Sequence, residues 1–258
     1  MPSIPIIVDS TFAENASSTG NRCSLTFSPP LQVPRDADPH LRLYSSNFEY
    51  NFANVDSTNN VLRIVRQSPI PVTHNITFAT GLYTLTDIQQ KITESIHALF
   101  GTLTVTLVPI NATQKVHIRC ENTGMAAFQF VFTQANSIGS LLGFTSDRTF
   151  AANATRIEEG NVVANLDRTT SVLVQTSLCS GSVLHGKGGS NTLAVIHLAN
   201  ATPGQAYGYQ PSNLLEVPAS ELAGATISTA TFALVNQDGE ELNPLGEKFQ
   251  LVIQIVWD

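Results

Sequence analysis

TATFALVNQDGEELNP (229–244) and KFQLVIQIVWD (248–258) decide the fold class. The apolar-rich runs 227–236 and 248–257 flank a polar segment that contains Asp238-Gly239, the composition of a β-hairpin. The second run reaches the last residues, so a terminal strand held inside a sheet is expected, and with it a compact all-β shell. Neither run carries a residue that suggests chemistry.

Upstream, the same two-residue period recurs. Residues 23–27 alternate and stop at Pro29-Pro30, which cannot continue a central strand. Residues 40–52 alternate over a longer span, Asn59-Asn60 marks a turn before a strand at 61–66, and 76–78 follows. The period changes at 85–100, where Leu85, Ile88, Ile92, Ile96 and Leu99 recur at steps of three and four and predict an amphipathic helix. Thr84 is its N-cap, Asp87 completes a capping box, and Gly101 is its stop.

Strands resume at 103–108, 116–120 and 128–133. SIGSLLGF (137–144) predicts a short helical turn with Leu141, Leu142 and Phe144 as plugs, and 146–165 reads as a polar connection. Further strands are expected at 170–178, 192–198 and 214–217, with a glycine-rich loop at 180–191. The total is roughly eleven strands and one helix. Residues 1–20 read as an arm that orders on a partner. Residues 21–258 read as a single elaborated domain, with a boundary between sub-sheets near 146–168.

Charged residues are 13% of the chain, about half the usual share, and apolar residues 42%. Such a surface, rich in Thr, Ser and Asn, suits a protein that covers its exterior with neighbours, and equally a secreted β domain. The net charge of −7 argues against a grip on nucleic-acid phosphates, which needs a basic face. Cys23, Cys120 and Cys179 are far apart, in no zinc spacing, and read as reduced thiols of an intracellular protein. The N-terminal residues lack a basic region and a long apolar run, so no signal peptide is expected, and no stretch approaches the ~20 apolar residues of a membrane span.

No candidate catalytic, cofactor-binding or metal-binding set emerges. His40, His74, His97, His117, His185 and His197 are in neither HxH nor HExxH spacing, and no GxSxG elbow exists. GKGGS (186–190) lacks the order of a phosphate loop. Glu158-Glu159 and Glu240-Glu241 read as solvated turn residues. The sequons at Asn15, Asn75, Asn111, Asn153 and Asn200 read as chance matches in an Asn- and Thr-rich chain.

The order of motifs carries more than any one of them. LTFSPPL (25–31), NFEYNFANV (47–55), NNVLRI (59–64), ITFATGLYTLTDIQQKI (76–92), SIGSLLGF (137–144), SVLVQTSLCSGS (171–182) and NQDGEEL (236–242) follow one another along 22–257. This series resembles the penton, or minor capsid, proteins of double-jelly-roll double-stranded DNA viruses, with Polinton-type elements, adinto-like viruses and virophages as kin. Pro244 and the glycine-rich 186–190 segment depart from that pattern.

The resemblance implies a jelly-roll subunit elaborated by the helix at about 85–100 and by additional strands. It implies five copies in a ring at each icosahedral vertex, meeting trimers of the major capsid protein, with cement proteins or a host receptor as further partners. No active site, cofactor or nucleic-acid contact comes with it, and the place of the protein is the virion. Leu184-His185-Gly186-Lys187-Gly188 fits an LxGxG pattern resembling sites cut by adenovirus-type maturation proteases, between Lys187 and Gly188. The competing reading is a glycan- or receptor-binding jelly-roll module, with Tyr207 and Tyr209 as its candidate loop aromatics.

Overall fold

The computed structural model describes residues 2–11, 21–67, 70–100, 103–121, 126–180, 183–185, 188–198 and 201–258. Where one domain was expected over 21–258, the chain divides into two compact units. Met1–Phe52 and Thr169–Asp258 form the first, and Ala53–Arg168 the second, so the seams fall at 52/53 and 168/169. Three strands precede the inserted unit: β1 (Ser3–Asp9), β2 (Arg22–Gln32) and β3 (His40–Glu49).

The inserted unit holds β4 (Val61–Arg66), β5 (Val72–Thr77), helix α1 (Leu85–Phe100), β6 (Thr104–Ile110), β7 (Lys115–Glu121), β8 (Phe128–Val131), the short α2 (Gly139–Leu142), β9 (Arg148–Phe150) and β10 (Thr155–Glu159). Its antiparallel sheets run β5-β4-β8-β9 and β10-β7-β6. Leu62, Ile64, Phe128 and Phe130 of the first sheet share one core with Val105, Leu107, Ile118 and Cys120 of the second and with Ile88, Ile92 and Ile96 of α1. Thr84 caps α1 as its sequence predicts: the Thr84 N–H and hydroxyl both donate to Asp87 Oδ2, at 2.8 and 2.7 Å. The helix also covers the free edge of β6. Gln89 Oε1 accepts the Leu107 N–H at 2.8 Å, and Thr93 Oγ1 donates to Val105 O at 3.4 Å, so that edge cannot template another strand.

The turn at 137–144 forms, and Leu141, Leu142 and Phe144 are buried as plugs. Gly143, at φ +81°, closes it, and a Cβ there would sit 2.3 Å from Val162 O. The expected polar connection at 146–165 instead contains β9 and β10. Their signal is hidden because β10 is an edge strand exposed along most of its length, and its Glu158 and Glu159 are strand residues rather than turn residues.

The chain then returns to the first unit through β11 (Ser171–Thr176), β12 (Val183–His185), β13 (Gly188–Ser190), β14 (Thr192–His197), β15 (Ala206–Tyr209), β16 (Val217–Pro218), β17 (Thr226–Asn236) and β18 (Phe249–Val256). One sheet runs β1-β18-β3-β15 and the other β14-β11-β17-β2. Counted along the chain, the eight principal strands pair first with eighth, second with seventh, third with sixth and fourth with fifth. The eighth also meets the third, and the seventh the fourth. That is a long hairpin rolled on itself, the jelly roll. The expected all-β jelly-roll fold is therefore present, confined to this unit. Its inner faces share one core, with Ile6, Val8, Leu41 and Leu251 on one side and Cys23, Val172, Phe232 and Leu234 on the other.

The hairpin read at 227–257 is corrected by this topology. The turn forms locally, with Asn236 Oδ1 accepting the N–H groups of Asp238 and Glu240 at 2.9 Å, but the chain then crosses between sheets. β17 pairs with β2 and β11, and β18 with β1 and β3. Each is a central strand needing two neighbours, and the pairing of the two runs with each other gives way to that. Three further readings change. β2 continues through Pro29-Pro30, which an edge strand with a register shift opposite Ile227 and Thr229 tolerates. Ser3–Asp9 of the expected arm is a strand on β18, with Ile6 and Val8 in the core, while 12–20 lies outside the described residues. The glycine-rich loop carries the small β12–β13 hairpin.

Candidate functional site

The strand beside β3 in the jelly-roll unit is interrupted. β15 pairs with β3 from Glu49 to Ser46, then the edge breaks, and β16 resumes opposite Leu41 and His40. Pro211 lies in the gap and has no N–H to give to a ladder. Opposite the gap β3 bulges, where the register shifts between Val252 and Ile253. The result is a groove of about 210 Å³ lined by Leu43, Leu193, Val195, Tyr209, Pro211 and Leu215, together with Ala194 and Asn213. None of these side chains is charged. Leu215 is 66% exposed and Val195, on the edge strand β14, 36% exposed. At the rim Glu216 is neutralised by Arg42, whose Nη1 lies 3.3 Å from its carboxylate.

A second uncharged surface lies at the other edge of the same sheet. Ile7 on β1 is 71% exposed and stands beside Val252 in register, with exposed Pro5 two residues before it. The Ser10 N–H donates to Phe249 O, and the Trp257 N–H to Pro2 O, so even-numbered residues of β1 face β18. Odd-numbered ones point their backbone groups to the open edge. Pro5 therefore leaves a missing donor in that edge.

Several chemistry-bearing side chains make local pairs within the sheets. His117 Nε2 lies 3.3 Å from Glu159, and Lys115 Nζ lies 2.9 Å from the same carboxylate, which its hydrogen bond and charge hold below the usual range. Glu158 pairs with Arg156 and Arg148. The Ser171 hydroxyl meets His197 Nδ1 at 2.9 Å across β11 and β14. All three cysteines are buried; burial pushes the Cys23 thiol up to about 11 and raises that of Cys120 as well. Among the described residues no group of three or more His, Cys, Asp or Glu is placed to hold a metal ion, and no helix is long and apolar enough to cross a membrane.

Tyr207 and Tyr209 are not loop residues: both are in β15. The Tyr207 ring packs 5.6 Å from that of Phe48, and its hydroxyl donates to His197 O at 3.1 Å, a packing role. Tyr209 instead walls the groove. Gly188 opens β13, whereas Lys187 lies outside the described residues, as do Asn15 and Asn200. Asn75 Oδ1 accepts from Arg63 Nε at 3.3 Å. The groove itself was missed in the sequence. Its signal is Leu214-Leu215 beside Pro211, a doublet that a two-residue period cannot bury whole.

No family model and no curated protein matches this chain. Among solved structures, it is similar to the crystal structure of selenomethionine-labelled mavirus penton protein, at 9% identity and a TM-score of 0.49 over 99% of each chain.

Proposed function

We propose that this protein is a structural subunit of an icosahedral virus shell, five copies of which close a ring at each vertex. The observation that carries the reading is a jelly-roll unit with two different uncharged apolar surfaces, the groove at the broken edge and the Ile7 ridge on β1. A closed ring of five needs a heterologous contact, and therefore two unlike surfaces on each copy. The order of sequence motifs supports the same reading. In it the protein turns over no substrate, sits in the virion, and contacts trimers of the major capsid protein around the ring. Native mass spectrometry of the purified chain tests it: a species of five times the chain mass is expected, and a stable dimer or trimer overturns it. The same reading adds a maturation cut between Lys187 and Gly188, the residue that opens β13. Chains from mature particles are then two fragments meeting at that bond, and an uncut mass removes the cut while leaving the ring in place.

A further inference from the structure

We infer that the groove walled by Leu193, Val195, Tyr209 and Leu215 receives the Pro5–Ile7 ridge of a second copy of this chain, head to tail. The inference rests on the ring reading above and gives that ring its contact. Each copy carries a net charge of −7, so copies meet at lowest cost where neither surface contributes charge. The groove lining has no charged side chain, and Glu216, next in sequence to Leu215, is paired with Arg42. The ridge is uncharged as well, and the adjacent Asp9 is occupied by the Thr11 N–H at 2.8 Å and by Gln250 Nε2 at 2.8 Å.

Within one copy the two surfaces cannot meet. β18 and β3 stand between β1 and the broken edge, so ridge and groove are about 14 Å apart at the usual strand spacing. The ridge of one copy can only fill the groove of another. Pro5 shapes the contact further: with a donor missing from the open edge, β1 cannot extend a neighbour's sheet along its whole length. Side-chain insertion then holds the contact, Ile7 entering beside Leu215 and Val195. A contact of this kind is not weakened by added salt, in contrast to one built on ion pairs.

Two surface substitutions test the assignment. Ile7→Glu spoils only the ridge and Leu215→Glu only the groove. Both side chains are largely exposed in the free copy, so each variant stays folded and melts with the dissociated wild type, below the assembled ring. Each variant alone is expected to be monomeric by native mass spectrometry. Mixed in equal amounts they give a dimer and nothing larger, because one intact ridge meets one intact groove. If the wild type forms a pentamer and either variant still does, the surfaces are wrong while the ring stands. If both variants are monomeric and their mixture stays so, the two surfaces are not mates. A wild type that is monomeric at every concentration overturns the ring reading, and this contact with it. Should either glutamate variant fail to fold, Ile7→Ser and Leu215→Ser are read in the same way, with a ring dissociation constant at least tenfold higher expected.

Discussion

The inserted unit and the jelly roll are both two-sheet structures with an apolar core, yet they are wired oppositely. In the inserted unit β4 pairs with β5 and β6 with β7, neighbours along the chain, and α1 seals the exposed edge of β6. In the jelly roll Ser3 pairs with Val256, and β2 with β17, strands from opposite ends of the chain. The first unit in the chain is therefore finished only when its last residues arrive. Contacts between distant residues bear the full cost of closing the chain before they return any burial, so the inserted unit is expected to fold faster.

The sharpest way to break this contrast is to open one core at a time. Phe130 and Phe232 are fully buried, one in each unit. Phe→Ala at either site costs about 3–5 kcal/mol. Cys120 and Cys23 then report the opening, since each is buried in the same core as the mutated phenylalanine and its thiol is held protonated. Phe130→Ala is expected to speed alkylation of Cys120 by on the order of a hundredfold and leave Cys23 unchanged. Phe232→Ala should do the reverse. If either variant accelerates both sites equally, the two cores open as one, and the contrast between them fails.

A smaller effect separates clash from backbone strain. Gly143 in the inserted unit and Gly239 in the jelly roll have nearly the same positive φ, +81° and +79°. A Cβ at position 143 would meet Val162 O at 2.3 Å, whereas at 239 nothing lies within 4 Å. Gly239→Ala is therefore expected to cost about 1 kcal/mol, for the left-handed conformation alone. Gly143→Ala adds a clash with backbone and should cost about 3 kcal/mol. Urea denaturation of the two variants checks the difference, and equal costs mean that the tight approach at Val162 relaxes freely.

The same contrast explains what the sequence made legible. α1 was readable to the residue because its apolar stripe, its Thr84–Asp87 cap and its covering sheet are all local. The jelly-roll strands were readable as strands, but not their partners: alternation says which face of β17 is buried, not that β2 and β11 flank it. β9 and β10 escaped because short edge strands bury little and so alternate weakly. The groove was invisible for a related reason. It arises where pairing stops, opposite a bulge in β3, and no local pattern announces a gap made by two distant segments.

The smallest effect asks whether the local code of the inserted unit is as separable as it looks. Thr84→Ala removes the N-cap of α1 and should cost about 1 kcal/mol at pH 7, seen as a lower denaturation midpoint. Part of that cost depends on Asp87, whose carboxyl is held below its ordinary 3.8 by hydrogen bonds from the Thr84 hydroxyl and N–H. A carboxyl lowered on folding stabilises fully above its unfolded value, and that contribution is lost as pH falls through the folded one. The penalty of Thr84→Ala should therefore be constant from pH 7 down to about 5 and shrink below pH 4. A penalty that ignores pH means that the cap works through the Thr84 hydroxyl on the Asp87 N–H alone, 3.2 Å away. At neutral pH the labelling rate of Cys23 should not move in this variant, since α1 packs into the core that holds Cys120 and Cys23 belongs to the other.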